Sequence, residues 1–111
     1  MSYTKEEIKT LWDNLDLGIP FKDGMIYPVD LILVSIYTGI RPTELIKLEN
    51  EHINLDELYI EIVDGKTGDR SIPIHDDIYP LVKKRKETGG KYFANLTMIQ
   101  YMETFKKIMK Q

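Results

Sequence analysis

Two cationic side chains stand where their type and setting suit them to chemistry. Arg41 lies in "YTGIRPTEL", residues 37–45, between a glycine turn and a proline able to open a helix, just after a run of core-like aliphatics. The ordinary reading of such a residue is a solvated charge at a helix start. Against that reading, the apolar run and the turn at Gly39 would project the side chain from a rigid base. Glu44, three residues on, either serves as the carboxylate of a first helical turn or orients the Arg41 guanidinium. Lys66 falls in "DGKTGD", a stretch with the chemistry of a hairpin turn. Lysines at turn tips are usually only solvated, yet a flexible hairpin is a suitable mount for a general acid that must swing toward a leaving oxygen. Arg70, just past that turn, either pairs across the hairpin, the favoured structural role, or touches a phosphate.

The elements that must position these residues follow from local signals. Thr4 and Glu7 form a capping box, with Tyr3 and Ile8 as a hydrophobic staple, and Ile8, Leu11, Trp12 and Leu15 then repeat at helical spacing. Gly18 and Pro20 are expected to end that helix and "GIPFKDG" to be loop. "PVDLILVSIY", residues 28–37, is too continuously apolar for its period to decide; Pro28 at the start and Asp30 in the first turn favour a buried helix. Gly39 breaks it, and "PTELIKL" begins another with Pro42 at its first position.

Then the period changes to two. "ELYIEIV" places Leu58, Ile60 and Ile62 on one face, and "RSIPI" places Ile72 and Ile74 on one face. A short strand near residues 52–55 would complete a three-stranded meander, with Pro73 directing its strand to an edge because proline has no N–H to donate. Asp77 is a candidate cap for "IYPLVKKRKE", a helix that Gly89 and Gly90 would stop. Thr97 and Gln100 form a second capping box, with Leu96 and Tyr101 as its staple, before a helix with Met98, Met102, Phe105 and Met109 on one face. The expected class is α+β, mostly helical, with a small three-stranded antiparallel sheet.

Composition sets the bounds. With 111 residues, 42% of them apolar and 30% charged, the chain fits one soluble globular domain or a piece of a larger one. The longest apolar run, "LILV", is far short of a membrane span, and "MSYTKEEIKTLW" has no signal-peptide pattern, so a cytoplasmic protein without membrane partners is expected. Cysteine is absent, which excludes disulfides, thiolate catalysis and cysteine zinc sites. The net charge of −3 argues against bulk attraction to nucleic acid, so DNA contact would rest on a local cluster.

The stretch "TGIRPTELIKLENEHINLDELYIEIVDGKTGDRSIPI" resembles the catalytic domain of the tyrosine recombinases, the phage-integrase family. The resemblance lies in a Thr-Gly-hydrophobic-Arg-x-x-Glu-Leu segment, an acidic strand start, a Lys-Thr pair, and an arginine near an x-Pro-hydrophobic strand. It continues more weakly through "YFANLTMIQYMETFKKI" and is most specific in residues 37–48 and 66–74. It implies a piece of the DNA breaking-rejoining fold, of a bacterial, phage or mobile-element protein. It further implies that Arg41 is the first catalytic arginine, that Glu44 supports it, and that Lys66 protonates the leaving 5′ oxygen. A phosphodiester under attack gathers charge on its non-bridging oxygens, and a planar guanidinium can hold two of them at once. No cofactor or metal is implied, because cationic side chains hold the phosphate. The implied partners are double-stranded DNA and other recombinase protomers.

The sequence also departs from the family. A His-x-x-Arg segment, a later His or Trp and a nucleophilic tyrosine are required, and neither His52, His75 nor any tyrosine here matches those slots. Residues 1–111 are therefore expected to be the N-terminal half of a catalytic domain, inactive alone in cutting DNA and prone to self-association through uncovered apolar surface. The alternative is a non-catalytic DNA-binding or regulatory module of the winged-helix type, in which "PTELIKLENEHI" would be the recognition helix. That segment is more acidic than basic and offers few side chains to read bases.

Overall fold

A computed structural model describes residues 3–21, 24–63 and 68–109. The order is α1 (Lys5–Asp13), β1 (Ile19–Phe21), β2 (Gly24–Ile26), α2 (Val29–Thr38), α3 (Pro42–Leu45), a 3-10 turn (Asn50–His52), β3 (Ile53–Asn54), β4 (Tyr59–Ile62), β5 (Arg70–Pro73), α4 (Tyr79–Thr88) and α5 (Met98–Met109). The fold is mixed α+β and mostly helical, as expected, with the antiparallel meander β3-β4-β5. Among the described residues no helix is long and apolar enough to cross a membrane.

The centre of the core is α2. Val29, Leu31, Ile32, Leu33 and Val34 are all buried, so this helix is apolar around most of its circumference because neighbours cover it on several sides. Helices α1, α3, α4 and α5 all contact it. The meander adds Ile53, Ile60, Ile62 and Ile74 to the same cluster, and Phe93 closes it between the last two helices. Pro28 stands just outside α2 rather than as its first residue, and Gly39 ends it with φ 77°. That left-handed turn costs glycine little, whereas a side chain there would crowd the carbonyl.

Several local expectations hold in atomic detail. Thr4 Oγ1 accepts from the Glu7 N–H at 3.1 Å while Glu7 Oε1 accepts from the Thr4 N–H at 2.9 Å. Thr97 and Gln100 repeat the arrangement at α5, with Thr97 N–H donating to Gln100 Oε1 at 2.7 Å and Gln100 N–H to Thr97 Oγ1 at 3.3 Å. Strand β5 is an edge strand and carries Pro73, which needs no ladder partner on its open side.

Other expectations need correction. Helix α1 stops at Asp13, where the Asn14 amide turns back to the Thr10 carbonyl at 2.7 Å, so Leu15 packs on the core from outside the helix. "GIPFKDG" is not simply loop: β1 and β2 form a small antiparallel ladder with Ile19 opposite Ile26. The helix expected over "PTELIKL" is a single turn, because the chain leaves it to pair with a later segment, the Phe93 N–H donating to the Leu48 carbonyl at 3.0 Å.

Leu58 is exposed instead of lining the inner face. Its φ of 61° belongs to the turn closed by Glu57 N–H on Asn54 Oδ1, which takes it out of strand alternation. Asp77 does not cap α4. Ile78 stands at the cap without a side-chain bond, while the Asp77 N–H donates to His75 Nδ1 at 3.0 Å. Pro80 in the first turn lacks one of the donors a cap would have served. On α5 the buried face is Tyr101, Thr104 and Ile108, one position round from the expected methionine stripe, and Met102 and Ile99 are exposed.

Candidate functional site

The base beneath Arg41 is built by hydroxyls that α2 carries at its end. The Gly39 N–H donates to the Ser35 carbonyl at 2.9 Å. The Ser35 hydroxyl donates to the Ile40 carbonyl at 2.7 Å, and Thr38 Oγ1 accepts from the Ile40 N–H at 3.2 Å. Ile40 and Leu45 are buried on either side of Arg41. Both apolar neighbours and polar backbone groups of this turn are therefore tied down, which fixes where the arginine backbone can sit. Arg41 itself is extended, with φ −66° and ψ 143°, immediately before Pro42, as proline requires of its predecessor.

The Arg41 side chain is exposed, and among the described residues its guanidinium makes no hydrogen bond or ion pair. Glu44 does not orient that guanidinium. Its Oε1 accepts from the Arg41 backbone N–H at a long 3.4 Å, and its Oε2 accepts from Arg70 Nη2 at 2.5 Å. Of the two roles open for Glu44, the first-turn carboxylate is present, and the arginine it engages is Arg70.

Arg70 reaches Glu44 because of strand register. It opens β5 opposite Ile62, with Ile72 opposite Ile60, so Arg70 belongs to the row of the meander that faces the core. At the end of that row its charge is only half exposed, at 45%, and the Glu44 carboxylate beside it meets the need for a partner. The favoured structural role for Arg70 stands, with the pairing made to α3 rather than across the hairpin. Lys66 lies outside the described residues; β4 and β5 are the strands that flank its segment.

The remaining candidates take structural places. Tyr101 is buried, and burial pushes its hydroxyl up to about 12; the Ser35 hydroxyl beside it offsets part of that rise, and Tyr3 adds a smaller upward contribution. Such a phenol holds its proton and serves packing. His52 Nδ1 accepts from the Glu49 N–H at 3.0 Å at the 3-10 turn. His75 packs edge-on against Tyr37 with ring centres 5.5 Å apart.

Sequence reasoning gave least weight to the arginine with most partners. Arg85 donates through Nε to Asp30 Oδ2 at 3.0 Å and through Nη2 to Asp30 Oδ1, and it also reaches the Ala94 carbonyl at 3.1 Å and the Tyr27 carbonyl at 2.8 Å. The available signal was a lone arginine among lysines in "LVKKRKE", where a flat fork is needed and an ammonium would not do. For Arg70 the signal was its spacing of two from Ile72, which puts a charge on the inner row.

Compared with known proteins, the chain matches no family model and no curated protein.

Proposed function

We propose that this chain contributes the first catalytic arginine, Arg41, and the hairpin lysine, Lys66, to a site-specific DNA recombinase that cuts and rejoins DNA through a phosphotyrosine link. The observation that carries the reading is the state of Arg41: an exposed guanidinium, unengaged among the described residues, on a turn held by three hydrogen bonds and two buried aliphatics. Structural arginines are satisfied by the protein, as Arg85 is. A cation left open on a rigid base is arranged for an external anion.

In this reading Arg41 takes the non-bridging oxygens of the scissile phosphate, where negative charge gathers as the nucleophile attacks. The bond from phosphorus to the 5′ oxygen breaks as the bond to the tyrosine oxygen forms, and Lys66 gives its proton to the departing oxygen. The His-x-x-Arg segment and the nucleophile come from other polypeptide sequence. Tyr101 is no substitute, being buried and protonated. The winged-helix alternative is the weaker one, because α3 has only four residues and cannot lay successive side chains along a major groove.

The test uses a polypeptide joining this sequence to a His-x-x-Arg segment and a tyrosine nucleophile, with trapping of the covalent DNA adduct as readout. Arg41→Ala abolishes the adduct while most DNA affinity remains, and Lys66→Ala slows its formation. Undiminished adduct with Arg41→Ala overturns the assignment.

A further inference from the structure

The peptide unit that enters Arg41 is held at both of its edges. Its carbonyl, on Ile40, accepts from the Ser35 hydroxyl at 2.7 Å, and its N–H, on Arg41, donates to Glu44 Oε1 at 3.4 Å. A peptide unit is planar, so fixing it sets the φ of Arg41, and Pro42 restricts the ψ of its predecessor to the extended region. Arg41 is found there, with φ −66° and ψ 143°. With both torsions set, the Cα–Cβ bond of Arg41 has one direction. We propose that Ser35 is a positioning residue for the reaction, its hydroxyl aiming the Arg41 guanidinium at the scissile phosphate by gripping this peptide. The inference rests on the recombinase reading and adds to it a residue that acts through the backbone of Arg41.

Ser35 does not use its hydroxyl as helical serines and threonines commonly do, by donating to the carbonyl four residues back. Thr38 does so, its Oγ1 donating to the Val34 carbonyl at 2.6 Å. Ser35 instead reaches forward by five residues. The left-handed Gly39, whose N–H returns to the Ser35 carbonyl at 2.9 Å, folds Ile40 back over the end of α2 and brings its carbonyl to the serine. Of the two grips on the peptide the serine's is the shorter, and the Glu44 carboxylate is shared with Arg70. Ile40 is buried, so its carbonyl has little water to take the serine's place. The buried Tyr101 of α5 stands beside the same hydroxyl, which places a second helix against the grip.

Two readouts test the role, each comparing the parent with Ser35→Ala and with Ser35→Thr, which keeps a hydroxyl. In this chain, backbone NMR relaxation gives the order parameter of the Arg41 amide. Ser35→Ala lowers it from about 0.85 toward about 0.6, while the Asp30 and Arg85 amides keep their parent values and Ser35→Thr stays rigid. In the polypeptide joined to a His-x-x-Arg segment and a tyrosine nucleophile, Ser35→Ala slows adduct formation at saturating DNA by about ten- to a hundredfold. DNA affinity stays at the parent value, and Ser35→Thr restores the rate. A rigid Arg41 amide in Ser35→Ala, or loosening that extends equally to Asp30 and Arg85 as a general loss of stability would give, overturns the proposal. So does a loss in Ser35→Thr equal to that in Ser35→Ala, because the effect then follows packing and not the hydroxyl. A parent rate in Ser35→Ala beside a lost adduct in Arg41→Ala overturns the positioning role and leaves the recombinase reading standing. An undiminished adduct in Arg41→Ala overturns that reading, and the role of Ser35 in the reaction with it.

Discussion

Arg85 and Arg41 are the same residue put to opposite uses. Arg85, on α4, reaches the N-terminal end of α2 and the segments at Tyr27 and Ala94, and its four contacts join parts of the chain far apart in sequence. Its side chain is 12% exposed and that of Asp30 is 18% exposed, so each charge depends on the other for what water no longer supplies. Arg41 sits at the opposite end of the same helix α2, past Gly39, with its backbone fixed and its charge unpaired among the described residues. Proximity to the core does not decide which arginine is structural, because both adjoin α2. What decides is whether acceptors converge on the guanidinium: carboxylate and carbonyls surround Arg85, whereas among the described residues none reaches the Arg41 guanidinium and the Glu44 carboxylate is turned to Arg70.

The contrast breaks most visibly at the clasp. Arg85→Ala leaves Asp30 part-buried without its partner and is expected to cost about 3–5 kcal/mol, read from urea denaturation. Domains of this size hold only about 5–15 kcal/mol in total, so this variant should lose a large fraction of its stability. Arg85→Met combined with Asp30→Asn should recover part of that loss, since it removes both charges and not one.

A smaller effect probes the base beneath Arg41. Tyr101 and the free chain are both protonated below pH 10, so stability is unaffected there. Above it the unfolded chain ionises first, and stability falls until the folded hydroxyl titrates at about 12. The loss is about 1.4 kcal/mol per pH unit across that window, and Tyr101→Phe should flatten the alkaline limb of a thermal-melt series. A limb unchanged by that substitution would place the ionisation elsewhere.

Smaller still, Glu44→Gln breaks a partly exposed ion pair and should cost about 0.2–1 kcal/mol, with the loss shrinking in high salt. Arg41→Ala is expected to change stability by no more than about 0.5 kcal/mol in the same denaturation assay. A cost for Arg41→Ala equal to that of Arg85→Ala would erase the distinction between the two arginines.

Local signals carried much of the fold. Two capping boxes, the left-handed Gly39, the proline opening α3 and the alternation in β4 and β5 each depend on residues within a few positions of one another. Contacts made at long range had no such trace. Asp30 and Arg85 are 55 residues apart, and Asp30 alone reads as an acid in a first helical turn, which it also is. The α5 stripe was misplaced for a related reason: methionine looks more like core than threonine, yet Thr104 is buried because its hydroxyl donates to the Gln100 carbonyl at 2.9 Å. Within the site, the positions of Arg41 and Glu44 were legible. The carboxylate's partner was not, since it follows from the register that brings β5 to α3.

Trp12, the single tryptophan of the chain, donates through Nε1 to the Tyr37 hydroxyl at 3.2 Å, with the two rings edge to face at 6.1 Å. Tyr37 is two residues from Gly39 and four from Arg41. Light absorbed by this one indole therefore reports on the turn that carries the guanidinium. Any shift of that turn would change the polarity and hydrogen bonding around Nε1, and with them the colour and yield of the emission. The protein thus contains its own optical probe of the Gly39 turn, readable without a label and without altering Arg41 or Glu44.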